Sequence, residues 1–111
     1  MRLLTLLIFS GAILAQAPAP AGDSQKGKLL FEKDGCYECH GHQAQGGAAG
    51  ARLAPKPIAW AAFSKYVRHP TGQMPPYTAK VLSDGELADV YAFLQSIPPP
   101  KAASDIPLLN R

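Results

Sequence analysis

The segment Cys36-Tyr37-Glu38-Cys39-His40 constrains this chain more than any other feature of its sequence. Its pattern, C-x-x-C-H, is the attachment signature of a c-type haem. Each of the two thiols can form a thioether with a haem vinyl group, and the following histidine then becomes the proximal ligand of the iron. No other cysteine occurs among the 111 residues, so both thiols are used. The sequence therefore predicts one covalent haem c, attached through Cys36 and Cys39 and ligated by His40.

Two other uses of the cysteine pair explain the sequence less well. A zinc site needs four ligands, and beyond the two cysteines only His40, His42 and His69 remain, without a second C-x-x-C. A thioredoxin-like redox pair lies at the start of a helix after a strand. Here the motif follows a helical pattern and is followed by glycines.

The N-terminus has the pattern of an export signal. Arg2 precedes an apolar run from Leu3 to Ala15, which is followed by small residues and prolines. The run of about thirteen residues is short for a membrane span, which needs about twenty. We expect residues 1–21 to be a Sec-type signal peptide and flexible leader, cleaved after Ala15 or Ala21, and the protein to be periplasmic or secreted. An uncleaved signal that anchors the chain is the alternative, and is the only membrane contact expected.

The rest of the chain is the size of one small domain, predicted over residues 22–100, with a C-terminal tail at 101–111. A domain of this size often depends on a cofactor for its core, and haem would supply that here. The formal net charge is +3 and includes Arg2, so the exported chain would carry +2. The basic residues are scattered, and this balance does not indicate a nucleic-acid partner.

The hydrophobic pattern predicts an all-α fold. Asp23 or Ser24 is expected to cap a helix that runs to about Asp34, and a second helix is expected over 58–69. A capping box, Ser83-Asp84-Gly85-Glu86, begins the last helix. The apolar residues of that helix recur with helical spacing: Leu87, Val90, Tyr91, Leu94 and Ile97. No run alternates with period two for long enough to predict a sheet.

Two segments are predicted as loops. Residues 41–50 contain four glycines and three alanines, which favours a loop that closely approaches another part of the molecule. A phosphate-binding loop is not expected there, because no strand precedes it and no Lys-Ser or Lys-Thr follows. Residues 71–80 hold two prolines and a glycine. In the tail, the apolar segment 106–109 could dock on the body.

The chain resembles the small class I cytochromes c. It is most similar to the cytochrome c domains associated with bacterial quinoprotein alcohol dehydrogenases. The resemblance covers about residues 24–97 and implies three to four short helices wrapped around one covalent haem. The motifs that carry it are Cys39-His40-Gly41, Gln45-Gly46-Gly47, Arg52-Leu53-Ala54-Pro55, Met74-Pro75-Pro76-Tyr77 and Asp89-Val90-Tyr91-Ala92-Phe93-Leu94.

The resemblance also implies an iron-binding methionine on a late loop. Met74 fits this role, and His69 is the alternative sixth ligand. The carbonyl of Ala51 is expected to accept a hydrogen bond from Nδ1–H of His40, which would fix the ring. Arg52 is a candidate partner for a haem propionate, although a solvated loop charge is an equal alternative.

Further positions are expected to build the pocket and the helix packing. Leu53, Tyr66 and Tyr77 are predicted to line the haem pocket. Gly27 and Phe31 on the first helix are expected to meet Tyr91 on the last, where the glycine would permit a close crossing.

These features predict an electron carrier that is not itself an enzyme. Its expected partners are redox proteins, such as a dehydrogenase donor and an oxidase or other cytochrome acceptor. We expect the chain to be a monomer or to form only a weak complex with them. One alternative is a permanent haem subunit of a periplasmic or membrane-associated dehydrogenase complex. Another is a ligand-binding or peroxidase-like haem protein in which Met74 dissociates.

Overall fold

The computed structural model describes residues 17–110, and the predicted signal segment up to residue 16 lies outside the described residues. No strand occurs in residues 17–110, so the all-α prediction of three to four helices is confirmed. Within the same range, no helix is long and apolar enough to cross a membrane. The elements, in chain order, are α1 (Ser24–Lys33), α2 (Cys36–His40), α3 (Trp60–Arg68), α4 (Asp84–Ser96) and two 3-10 turns, Ala103–Asp105 and Pro107–Leu109.

Helix α1 begins and ends as its sequence predicts. The carboxylate of Asp23 accepts hydrogen bonds from the backbone N–H groups of Gln25 and Lys26, at 2.9 and 3.0 Å. These are N–H groups that a helix leaves without a partner at its start, so Asp23 is the N-cap. Gly35 follows the helix with φ of 77°, a left-handed conformation that suits glycine, and α2 starts directly after it.

Helix α3 is shorter than the predicted range of 58–69. It starts at Trp60, two residues later, and ends at Arg68, one residue earlier. The late start leaves the carbonyl of Ile58 free to accept a hydrogen bond from the hydroxyl of Tyr91, at 2.9 Å. The early end follows from Pro70, because a residue that precedes proline is disfavoured in helical conformation.

Helix α4 has the predicted capping box. Oγ of Ser83 accepts from the N–H of Glu86 at 3.2 Å, and Oε2 of Glu86 accepts from the N–H of Ser83 at 2.8 Å. Ile97 lies just beyond the helix in extended conformation, before Pro98, and packs at the edge of the core. The buried residues of α4 are Leu87, Ala88, Val90, Tyr91, Phe93 and Leu94.

Helices α1 and α4 pack closely at Gly27. A Cβ at this position would collide with the backbone carbonyl of Asp89, so the predicted close crossing is confirmed. The partners differ from those expected. Gly27 meets the backbone of α4 itself, and Phe31 packs on Phe93 with ring centroids 5.4 Å apart.

Tyr91 lies against α3, because its bulky ring packs beside other aromatic rings there. Its ring centroid is 5.4 Å from that of Trp60 and 5.1 Å from that of Phe63. These contacts, with the hydrogen bond to Ile58, tie α3 to α4.

The tail does not bury its two leucines. Leu108 and Leu109 lie in the second 3-10 turn and are 69% and 64% exposed, and only Ile106 is partly buried. The expectation that the whole segment 106–109 docks on the body is therefore wrong for the leucines. Asn110 holds the tail together locally, since its side-chain amide donates to the carbonyl of Ser104 at 2.6 Å.

Candidate functional site

Helix α2 is formed by the C-x-x-C-H segment itself. Cys36 is its first residue and Cys39 its fourth, and side chains three positions apart are neighbours on one face of a helix. Cys36 is partly buried, whereas Cys39 is exposed. The local fold therefore places both cysteines on one face of a short helix, which suits two thioethers to one porphyrin.

The environment of Cys36 opposes a charged sulfur. Burial, followed by the negative charge of Asp34, raises the pKa of the Cys36 thiol to about 11. Metals such as zinc are bound by the thiolate, which this environment disfavours. No cluster of three or more His, Cys, Asp or Glu side chains able to hold a metal ion occurs in residues 17–110. An uncharged thioether suits the position better.

His40 is oriented by a backbone carbonyl. Its Nδ1 lies 2.7 Å from the carbonyl oxygen of Ala51, which confirms the predicted hydrogen bond. A carbonyl can only accept, so Nδ1 carries the proton, and in the neutral ring Nε2 then has the lone pair that binds a metal. This arrangement of an imidazole, with one nitrogen anchored and the other available, is typical of metal-ligating histidines.

The segment between α2 and α3, residues 41–59, is named here the glycine loop. The N–H of Gly46 donates to the carbonyl of His40 at 2.8 Å, and Gly46 has φ of 79°. At Gly50 a Cβ would lie 2.8 Å from the carbonyl oxygen of Cys39 and 3.0 Å from Nδ1 of His40. The close approach predicted for residues 41–50 is therefore confirmed, and the segment approached is the C-x-x-C-H motif.

The segment between α3 and α4, residues 69–83, is named here the methionine loop. Met74 is partly buried and packs against the hydrophobic core. Tyr77 joins this loop to the start of the motif, because its hydroxyl donates to the carbonyl of Asp34 at 2.6 Å. Its backbone N–H also donates to the carbonyl of Val67 at 3.1 Å. The role of Met74 as an iron ligand stays a prediction.

The remaining predicted haem contacts also stay predictions. Leu53 is partly buried at the core, and the Tyr66 hydroxyl is directed to the Thr71 carbonyl at 3.1 Å. Arg52 is exposed, and its Nε donates to the carbonyl of Gln45 at 3.3 Å. His69, the alternative ligand, is exposed at the end of α3.

Sequence reasoning missed Arg68. Its Nη1 donates to the carbonyls of Tyr77 and Leu82, at 2.9 and 2.6 Å, and its Nη2 pairs with Asp84 at 2.7 Å. A basic residue in the last turn of a helix is ordinary, because the helix dipole favours it. The pattern around Arg68 therefore held no signal of these contacts.

The residues present fit a covalent haem. Two thiols lie on one short helix, an imidazole has its Nε2 available, and the core continues outward as partly buried apolar side chains. The exposed parts of these side chains form an apolar surface against which a flat, apolar ring system can be buried. The partly buried side chains next to the core include Leu30, Cys36, Tyr37, Leu53, Trp60, Met74, Tyr77 and Ile97.

Comparison with known proteins agrees with this site. A family model described as cytochrome c oxidase, cbb3-type, subunit III matches residues 22–94, about two thirds of the chain. No curated protein and no solved structure matches. The chain belongs to this family of c-type cytochrome domains, and is therefore a haem-binding electron carrier with covalently bound haem c and its iron.

Proposed function

We propose that this chain carries single electrons between redox partners outside the cytoplasm, with His40 and Met74 as the axial ligands of the haem iron. Cys36 and Cys39 would form the two thioethers. The observation that carries the proposal is the 2.7 Å hydrogen bond between His40 Nδ1 and the Ala51 carbonyl, because it leaves Nε2 as the nitrogen that ligates.

The protein's own residues set the properties of the site. When bound, the haem supplies a reversible one-electron couple at its iron. The His40–Ala51 bond fixes the imidazole and raises its basicity, and the soft Met74 sulfur favours the reduced state. With His40 and Met74 both holding the iron, no position would be left for a substrate, which suits a carrier. Arg52, Leu53, Tyr66 and Tyr77 are the further residues proposed to contact the haem.

The proposed partners are a dehydrogenase that donates electrons and an oxidase or another cytochrome that accepts them. Interfaces of this redox type are small and short-lived, so we propose a monomer or a weak complex. The export pattern in residues 1–21 supports a periplasmic or secreted location, and membrane contact would need an uncleaved signal. The domain itself is proposed to span residues 22–100, followed by the tail at 101–111.

A second candidate is a haem subunit held permanently in a dehydrogenase complex. Its support is the tail, where Leu108 and Leu109 are exposed next to each other. Apolar side chains of this kind are often covered in a stable complex. The resemblance to domains associated with quinoprotein alcohol dehydrogenases points to the same class of partner.

Replacing the methionine tests the proposed ligation. In the purified, haem-loaded protein, Met74→Ala should keep the covalent haem, because the thiols and His40 are unchanged. It should lose the sulfur-to-iron charge-transfer absorbance, bind imidazole at the sixth position and have a lower reduction potential, because the soft ligand is gone. His69→Ala is the control and should change none of these properties.

Two results would overturn the His/Met assignment. One is an unchanged spectrum and potential in Met74→Ala. The other is a wild-type protein that already binds carbon monoxide readily when reduced, which would favour a ligand-binding or peroxidase-like protein. Loss of the sixth ligand in His69→Ala alone would transfer the ligand role to His69.

A further inference from the structure

The methionine loop contains no helix or strand, so its conformation depends on what holds it. Residues 69–83 include three prolines and a glycine, Gly72, with φ of 73°. The main contacts come from the last turn of α3. The Tyr66 hydroxyl is directed to Thr71, and the carbonyl of Val67 accepts from the N–H of Tyr77. Met74 lies between these two attached positions.

Arg68 makes the most extensive of these contacts. One of its guanidinium nitrogens, Nη1, donates to the carbonyls of both Tyr77 and Leu82, at 2.9 and 2.6 Å. Its side chain is only 16% exposed, whereas that of Asp84, its ion-pair partner, is 89% exposed. The two carbonyl bonds are therefore the better shielded from water, and the ion pair contributes little.

We infer that Arg68 is a positioning residue, which holds the methionine loop in the conformation that keeps the Met74 sulfur on the iron. This inference rests on the proposed His/Met ligation. Arg68 does not touch the iron-binding atoms and acts through the backbone of the segment that follows Met74.

The physical reason is effective concentration. A ligand on the same chain competes well with free ligands because its attachment keeps it near the metal, and a stiffer attachment raises that advantage. Hydrogen bonds from a charged donor are stronger than neutral ones, so two of them on one loop add appreciably to its rigidity. Without them, Met74 samples positions away from the iron more often.

The oxidised state is where this contribution should be visible. A soft thioether favours Fe(II), so its bond to Fe(III) is the weaker of the two. A nitrogen ligand such as imidazole competes best under those conditions. The apparent affinity of the oxidised protein for imidazole therefore reports how firmly the loop holds Met74.

The experiment uses the full-length, haem-loaded protein and titrates its oxidised form with imidazole. Arg68→Gln should tighten the apparent affinity by about tenfold or more, because charged hydrogen bonds to both carbonyls are lost. Lys65→Gln removes an exposed cation from the same helix, and Asp84→Asn removes only the exposed ion pair. Both controls should change the affinity by no more than about threefold.

The possible outcomes distinguish failure of this inference from failure of the proposed His/Met ligation. A wild-type protein without the sulfur-to-iron absorbance would overturn the proposed ligation, and the inference with it. A wild-type protein with that absorbance, and equal imidazole affinities in Arg68→Gln and Lys65→Gln, would overturn the inference alone.

A purely structural role is distinguished by a second measurement. It would lower the urea midpoint of Arg68→Gln while leaving its imidazole affinity at the wild-type value, and that result would count against positioning. If Arg68→Gln does not fold, Arg68→Lys keeps the charge but lacks the planar fork of donors. Its imidazole affinity should lie above the wild-type value, and equality with wild type would reject the inference.

Discussion

The glycine loop and the methionine loop flank the same site but are held in different ways. The glycine loop is held mainly by its backbone. The N–H groups of Leu53 and Ala54 both donate to the carbonyl of Ala44, and that of Gly46 donates to the carbonyl of His40. The methionine loop is held mainly by side chains, above all those of Arg68 and Tyr77.

This difference predicts opposite sensitivities. A segment packed through its backbone has little space for additional atoms, so a new methyl group should harm it more than the loss of a polar side chain. A segment attached through side chains should be harmed more by the loss of a side-chain group than by an added methyl group. The glycine loop should therefore be sensitive to added atoms, and the methionine loop to removed ones.

The largest effect is expected from removing the haem, which both loops are proposed to surround. The double variant Cys36→Ser/Cys39→Ser should carry no covalent haem, and both loops should lose their order together, because a chain of this size lacks a sufficient core without its cofactor. Mass spectrometry and far-ultraviolet circular dichroism check this. Each single variant should lose only part of the covalent haem. A double variant that keeps full helix content would show that the loops do not depend on haem.

An added methyl group tests the glycine loop. Gly50→Ala places a Cβ 2.8 Å from the Cys39 carbonyl oxygen and 3.0 Å from His40 Nδ1, so the loop must move off the motif. Overpacking of this kind typically costs about 1–3 kcal/mol of unfolding free energy. We also expect less haem-loaded protein. Urea titration and haem yield measure the two effects.

Gly47→Ala is the matched control in the same loop, since a Cβ there has nothing within 4 Å. Its urea midpoint should stay close to that of the wild type. If Gly47→Ala and Gly50→Ala lowered the urea midpoint equally, the effect would not be due to the contact of Gly50 with the motif.

A removed hydroxyl tests the methionine loop. Tyr77→Phe loses the 2.6 Å bond to the Asp34 carbonyl and should cost about 1 kcal/mol in a urea titration at neutral pH. Tyr66→Phe is the control, because it removes a hydroxyl from a more exposed contact with the same loop and should cost less.

The same variant has a defined pH dependence. Burial, and then nearby negative charge such as that of Asp34, raises the pKa of Tyr77 above its ordinary 10.0. The folded pKa exceeds the unfolded one, so the stability from the neutral phenol is present below pH 10.0 and falls as the pH rises through the folded pKa. Tyr77→Phe should therefore lose less stability than the wild type between neutral and strongly alkaline pH. If the stability of both proteins fell equally at alkaline pH, groups other than Tyr77 would be responsible for the loss.

The smallest effect is expected at Glu86, at the start of α4. The bonds with Ser83 lower the pKa of Glu86, so its stabilising contribution is present above the unfolded pKa and lost as the pH falls through the folded one. Glu86→Gln keeps an acceptor but not the charge, so it should be slightly less stable than the wild type at neutral pH, and the two proteins should converge in acid. Thermal unfolding between neutral and acidic pH measures this. A change in the visible spectrum of Glu86→Gln would mean that the cap also affects the iron site.

Local features of this fold could be predicted from the sequence because their partners are close in the chain. The cap at Asp23 and the box between Ser83 and Glu86 each involve residues no more than three positions apart. The His40–Ala51 bond spans eleven positions and was predicted only through the family resemblance.

The contacts that could not be predicted depend on backbone groups brought together by the fold. Arg68 binds carbonyls nine and fourteen positions away, and every residue has a carbonyl, so no residue type marks the partner. Gly47 and Gly50 look alike in the sequence, yet only the second touches the motif. Helical spacing placed Tyr91 on the buried face of α4 but could not select α3 as its neighbour.

The meeting of α1 and α4 has a consequence for the order of folding. The N–H of Asp23 donates to the carboxylate of Asp89, 66 positions later, and Gly27 contacts the same part of α4. Closing so long a stretch of chain has an entropic cost, and folding that depends on such long-range contacts is slow. The cysteine motif lies inside that stretch, so it can be synthesised and reached before α1 and α4 meet. We therefore expect haem attachment to precede closure of the domain, with the chain closing around a group already in place.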